Sequence, residues 1–114
     1  MATREPSLTS EVWVSAYLAR LRLADLPVYL TKRGDATAGA VIVKVATLDG
    51  RAIARQRRSD LMTGRRAWET LCEGAEAEVD AILTRSRQRD PDLWVIEVED
   101  RSGRGLLDEA GLSD

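Results

Sequence analysis

The chain has 114 residues, 44% hydrophobic and 32% charged, a composition that suits one globular domain with a core of its own. It has no histidine and a single cysteine, which excludes Ser-His and Cys-His catalysis, imidazole metal ligation, an internal disulfide and a thiolate zinc site. Its 17 basic and 19 acidic residues give a net charge of −2 and a pI near 5.2, unlike the basic footprint of most nucleic-acid binders.

Residues 1–9 read as a flexible polar lead containing Pro6, and residues 10–114 as a single α+β domain. The start carries no apolar signal-like region. The longest nearly uncharged run, Ala36 to Val43, is too short to span a bilayer. With the lone thiol, this predicts a cytoplasmic protein without a membrane partner.

Ser10 is the expected N-cap of a first helix, with Glu11 at its positive end. Val14, Tyr17, Leu18 and Leu21 follow helical spacing, Trp13 and Ala16 widen the stripe, and the helix must end before Pro27. Trp13, Trp68 and Trp94 all sit on predicted elements and are read as core, with Trp13 the one nearest the stripe's edge, where it would serve a dimer contact. Val28 to Arg33 reads as a first strand, and Gly34 to Gly39 as a hairpin loop using glycine for positive φ. That loop is no Walker loop, because it joins two strands and lacks Gly-Lys-Ser/Thr. It could instead bind a ligand, Lys32 and Arg33 supplying charge and Asp35 and Thr37 hydrogen bonds.

Ala40 to Leu48 is the best strand, apolar on both faces except at Lys44. Asp49-Gly50 predicts a two-residue hairpin turn into a third strand, Arg51 to about Arg58, with Ile53 inward and the arginines outward. Asp60 to Gly64 connects to a fourth strand, Arg66 to Glu73, bearing Trp68 and Cys72, the latter expected as a small buried hydrophobe. Charge runs in blocks here: Arg51 to Arg66 holds six arginines against Asp60, and Glu69 to Asp80 holds five acids and no base.

A second helix is predicted from about Ala75 to Gln88, with Ala75, Val79, Ile82 and Leu83 as its stripe, acids at its start and arginines at its end. Pro91 stops it. Leu93 to Glu99 is a strand with Trp94, Ile96 and Val98 on one face and Leu93, Val95, Glu97 and Glu99 on the other. Arg101 to Gly105 is a turn, after which Leu106, Leu107 and Leu112 tack the tail onto the body.

The elements assemble into an α+β fold: N-terminal helix, antiparallel meander of three to four strands, second helix and C-terminal strand. Both helices are expected on one face of the sheet, and the apolar last strand in a central place.

Two further groups of residues invite a chemical reading. Arg55, Arg57 and Arg58 with Trp68 could bind phosphate or nucleic acid, since guanidinium forks suit phosphate and indole offers a stacking surface. The plainer reading is a solvated face paired internally with acids. Asp92, Glu97 and Glu99 resemble the carboxylates of a metal-dependent nuclease, but no lysine follows at the spacing such a motif needs. Glutamates there more often pair with cations, here Lys44, Arg55 and Arg57. Neither a cofactor nor a metal is expected.

Glu11-Val-Trp-Val-Ser-Ala-Tyr-Leu18, Arg33-Gly-Asp-Ala-Thr-Ala-Gly-Ala-Val41 and Asp90-Pro-Asp-Leu-Trp-Val-Ile-Glu-Val-Glu-Asp100 together resemble a bacterial family of small proteins known as a domain of unknown function. The resemblance spans roughly residues 10–112. It implies a cytosolic bacterial protein of one domain and brings no catalytic or binding residue with it.

Function is therefore read at the level of class. The first reading is a small binding or interaction module for a protein partner or its own copy, with an exposed edge of the meander pairing strands in a dimer. The second is a nucleic-acid or phosphate-ligand binder using Arg33, Arg55, Arg57 and Arg58 with Trp68. The third is a carboxylate-dependent enzyme joining Asp35, Lys44 and Glu97 in one pocket.

Overall fold

Every residue of the run Val41–Ala46 is buried, including the lysine within it. A strand covered on both faces needs a layer on each side. The structure, a computed structural model, supplies them. It describes residues 9–59, 66–109 and 112. Its elements are α1 (Ser10–Leu23), β1 (Val28–Lys32), β2 (Val41–Ala46), β3 (Arg51–Ser59), β4 (Arg66–Ala75), α2 (Glu76–Arg89) and β5 (Trp94–Glu99). They form an α+β fold around one five-stranded mixed sheet in the order β1-β5-β2-β3-β4. The expected lead, apart from Thr9, and the connection Asp60 to Gly64 lie outside the described residues.

The two helices lie on opposite faces, which corrects the expectation that they share one. On the first face Trp13, Val14, Tyr17 and Leu21 of α1 pack with Val41, Val43, Val45, Trp94, Ile96, Val98, Leu107 and Leu112. On the second, Val79 and Leu83 of α2 pack with Ile42, Ala52, Ala54, Leu93 and Val95. Period-two alternation sends neighbouring residues of β2 and β5 to opposite sides, so each strand feeds both cores. The face assignment of Trp94, Ile96 and Val98 against Leu93 and Val95 is as the alternation predicts.

β5 is central, as its apolarity predicts, and runs parallel to β2 from Val41↔Trp94 to Ala46↔Glu99. The other pairings are antiparallel. The meander therefore holds only β2, β3 and β4. β1 pairs with β5, Val28 opposite Val98 and Leu30 opposite Ile96, so the Gly34 to Gly39 segment is a crossover between unpaired strands, not a hairpin loop.

Three local expectations also change. Thr9, not Ser10, caps α1: its extended backbone lets the hydroxyl accept from Val12 N at 3.3 Å, while the Ser10 hydroxyl turns inward to donate to Gly39 O at 2.6 Å. The β2–β3 turn takes three residues, because Thr47 N donates to Arg51 O at 3.1 Å and both Leu48 and Gly50 have positive φ. In β3, Ile53, Arg55 and Arg57 share the α1 side by alternation, while Ala52 and Ala54 face α2. Ile53 and the arginines thus do not point to opposite sides.

The segment after β5 crosses the α1 face as a strap. Tyr17 Oη donates to Gly105 O at 2.6 Å, Arg55 donates to Gly103 O at 2.7 Å, and Trp68 Nε1 donates to Leu112 O at 3.0 Å. Leu107 and Leu112 are buried beneath it, as their spacing suggests.

Candidate functional site

The residues singled out in the sequence fall into three places. Around the β1–β2 crossover, Lys32 Nζ donates to Pro91 O at 2.6 Å and Leu93 O at 3.0 Å. Arg33 pairs with Glu11 at 3.0 Å and lies over the Trp94 ring, 5.5 Å from its centroid. Asp35 accepts from Thr37 N at 3.2 Å and Ala38 N at 2.9 Å, while its own carbonyl receives Trp94 Nε1 at 2.7 Å. Thr37 O accepts from Ser10 N at 3.2 Å. These groups stitch the crossover to α1 and β5. Gly34 and Gly39 are required by space, not by φ: a Cβ at Gly34 would stand 2.6 Å from Trp94 Cδ1 and 2.7 Å from Leu93 C, and one at Gly39 would stand 2.9 Å from Trp94 Cδ1.

The arginine strand lies under the strap. Arg55 holds Gly103 O, and Arg57 is buried with its guanidinium 5.0 Å from the Trp13 centroid. Trp68, directly opposite Arg57 in the β3–β4 ladder, packs 5.2 Å from Trp13, which in turn stacks on Tyr17 at 4.8 Å. Arg55, Arg57 and Trp68 thus fasten one cation–aromatic layer. Trp13 is 1% exposed at its centre, so it is core, as the sequence reading has it for the tryptophans, and not an edge contact. The side chain of Arg58 lies outside the described residues.

Glu97 lies on the α2 face, beside Lys44 as the sequence suggests. The Lys44 side chain is 4% exposed, and its ammonium reaches Glu76 at 2.7 Å, Asp80 at 2.7 Å and Glu97 at 3.1 Å. Burial alone would depress its pKa; the hydrogen bonds to Asp80, Glu76 and Glu97 outweigh that and raise it. All three ammonium donors are used. Beside this cluster Thr31, Leu83, Thr84, Arg87 and Val95 complete a cleft of about 210 Å³. Asp35 stands with Trp94, whose side chain faces α1, so the pocket that was to join Asp35, Lys44 and Glu97 is not assembled. Arg55 and Arg57 lie on the α1 side and do not pair with Glu97. Among the described residues no cluster of acids and cysteine could hold a metal ion. Burial raises the pKa of the half-buried Cys72 thiol, which keeps it protonated and unreactive.

What the sequence reading missed lies on α1 and β1. Five large hydrophobic side chains are exposed among the described residues: Val12 (51%), Leu23 (78%), Tyr29 (52%), Leu30 (38%) and Leu48 (49%). Four of these five belong to α1 and β1. β1 is also an edge strand, exposed at its three central residues. Glu99 N donates to Pro27 O at 3.0 Å, so the alternation of an antiparallel ladder turns the N–H and C=O groups of Val28 and Leu30 away from the sheet. The signal was the apolar trio Val28-Tyr29-Leu30 in a strand whose neighbours the sequence does not identify.

The opposite edge, β4, is better protected. It carries Glu69 and Glu73, and its register shifts opposite Ala54/Arg55. Charges and bulges are the usual guards of a free edge. β1 has a shift only past Leu30, and its first three residues are regular and uncharged.

The family described as a protein of unknown function (DUF1491) matches residues 8–108. No curated protein matches the chain. The crystal structure of a DUF1491 family protein from Caulobacter crescentus is similar at 36% identity and a TM-score of 0.79, over 90% of this chain and 97% of that one. An NMR structure of a DUF1491 family protein from the same organism gives 36% and 0.79, over 92% and 96%. The solution structure of a protein from A. tumefaciens gives 33% and 0.70, over 81% and 85%.

Proposed function

The chain belongs to the DUF1491 family, a family of unknown function, and from that premise we propose that it acts as a small protein-interaction module whose binding surface is the flank formed by α1 and β1. The observation that carries this reading is the concentration of exposed apolar side chains on an unpaired strand edge. Val28 and Leu30 offer outward backbone donors and acceptors, and Tyr29 and Leu30 offer apolar area beside them, one on each face of the edge. An extended protein segment added to such an edge gains main-chain hydrogen bonds and side-chain contacts together.

The arginines support this reading over phosphate or nucleic-acid binding, because Arg55 and Arg57 are engaged beneath the strap and not presented to a ligand. The carboxylates do likewise, because Glu97 and its neighbours neutralise a buried lysine. We place the module in the bacterial cytoplasm; among the described residues no helix is long and apolar enough to cross a membrane, and the one cysteine is a free thiol.

A photo-reactive phenylalanine analogue at position 29, expressed in a bacterial host, tests the surface. Discrete adducts are expected from position 29 and not from position 85 on the outer face of α2. An adduct pattern identical at the two positions, or none from position 29, defeats the reading.

A further inference from the structure

Resting on the α1–β1 flank as the binding surface, we propose that the segment docked on β1 is the β1 strand of a second copy of this chain, antiparallel across a two-fold axis. The ladder restricts how two such strands can meet. Only residues with outward N–H and C=O groups can exchange hydrogen bonds, and in β1 these include Val28 and Leu30. Setting Val28 of one copy opposite Leu30 of the other satisfies both residues in both chains, because the two-fold repeats the pair. The result is a continuous sheet of ten strands and the closure of two exposed edges, the symmetric isologous contact that homodimers favour.

The side chains agree with that register. Val28 and Leu30 both lie on the α1 side, opposite Val98 and Ile96 of the first core, so they meet as an apolar pair. Tyr29, 52% exposed on the α2 side, falls opposite Tyr29 of the second copy. Charge favours the antiparallel sense. Lys32 is the only charge in β1, and a parallel docking would set it against itself. In the antiparallel register the two lysines stand at opposite ends of the contact. A five-residue strand is smaller than a standard stable interface, so the dimer is a concentration-dependent one.

Cysteine cross-linking reads the register directly. In a Cys72→Ser background, Tyr29→Cys places two thiols in the closely spaced pair of an antiparallel ladder, with Cα atoms about 4.5 Å apart, within disulfide range. Thr31→Cys lies off the two-fold axis and has no thiol directly across from it. Mild oxidation is expected to give at least about ten-fold more covalent dimer from Tyr29→Cys than from Thr31→Cys, with the wild type dimerising reversibly in sedimentation equilibrium. Leu30→Pro removes an outward N–H that β5 does not use, and is expected to abolish that dimer while keeping the far-ultraviolet spectrum. Equal cross-linking at 29 and 31, or a wild-type monomer at millimolar concentration, overturns the proposal. Photo-adducts from position 29 to a different protein, with no disulfide dimer, overturn the second copy as the partner and leave the interaction surface standing.

Discussion

Burying an ammonium costs several kcal/mol unless each of its donors finds an acceptor, and Lys44 finds three carboxylates. Replacing it with methionine keeps the volume and leaves Glu76, Asp80 and Glu97 facing one another. Those carboxylates are 38%, 54% and 31% exposed, so water screens much of their repulsion and the expected loss at neutral pH is about 1–3 kcal/mol. Urea unfolding of Lys44→Met beside the wild type measures the penalty, and an unchanged midpoint refutes this account. The wild type should weaken at the alkaline end. Lys44 holds its proton above the ordinary value of 10.5, so the unfolded chain loses that proton first and stability falls as pH rises past it. Burial likewise pushes the Tyr17 phenol above its ordinary 10.0, so it too costs stability as pH climbs past that value. Tyr17→Phe should therefore lose about 1–2 kcal/mol at neutral pH, where Gly105 O goes without its donor, and fall less steeply above about pH 10 in denaturant titrations. The Lys44–Glu97 pair is legible in the sequence, since a lone lysine in an apolar strand needs a neighbour of opposite charge. Glu76 and Asp80 are not, because their part depends on which face α2 covers.

Between elements, the crossover from β1 to β2 shows how one sequence signal admits two readings. Glycines at 34 and 39 with small residues between them suit a hairpin or a ligand loop equally well. The structure uses them for close approach to the 92–94 segment, where there is no room for a Cβ. Gly34→Ala and Gly39→Ala are accordingly expected to cost about 2–4 kcal/mol each, as overpacking does when backbone must shift. Gly50→Ala, at φ +84° with open space around it, should cost only about 1 kcal/mol. Thermal melts of the three variants decide the matter, and equal losses would contradict it. The strands themselves were legible from alternation, and β5 was placed centrally from its apolarity. What alternation could not show is partnership: β1 joins β5, 63 to 70 residues away along the chain, because β5 fills the place beside β2 that a simple meander would have given to β1. The two-faced apolarity of Val41 to Val45 already carried the information that helices must cover both sides. Assigning both helices to one face conflicted with it.

At the scale of the molecule, the α1 face is closed by the strap after β5 and not by a helix layer alone. Leu107 and Leu112 are buried, and the strap's carbonyls at Gly103, Gly105 and Leu112 take hydrogen bonds from Arg55, Tyr17 and Trp68. Arg20 and Glu109 add an ion pair at the margin. Burying two leucines is worth about 3–6 kcal/mol as an upper bound, against a total of about 5–15 kcal/mol for a domain. A chain ending at Arg104 gives up both leucines, the acceptors of Tyr17 and Trp68, and the cover over the Trp13–Trp68 contact. It is expected to lose about 3–5 kcal/mol in urea unfolding and to shift tryptophan emission to longer wavelength as water reaches those rings. The double variant Leu107→Ala/Leu112→Ala keeps the backbone acceptors and should show most of the stability loss with a smaller spectral shift. An unchanged midpoint and emission maximum in the truncated chain would mean that the strap rests on the core without sealing it. Tyr29 faces the α2 side of the sheet, opposite to this seal, so truncation should also leave Tyr29→Cys cross-linking intact wherever the shortened chain still folds.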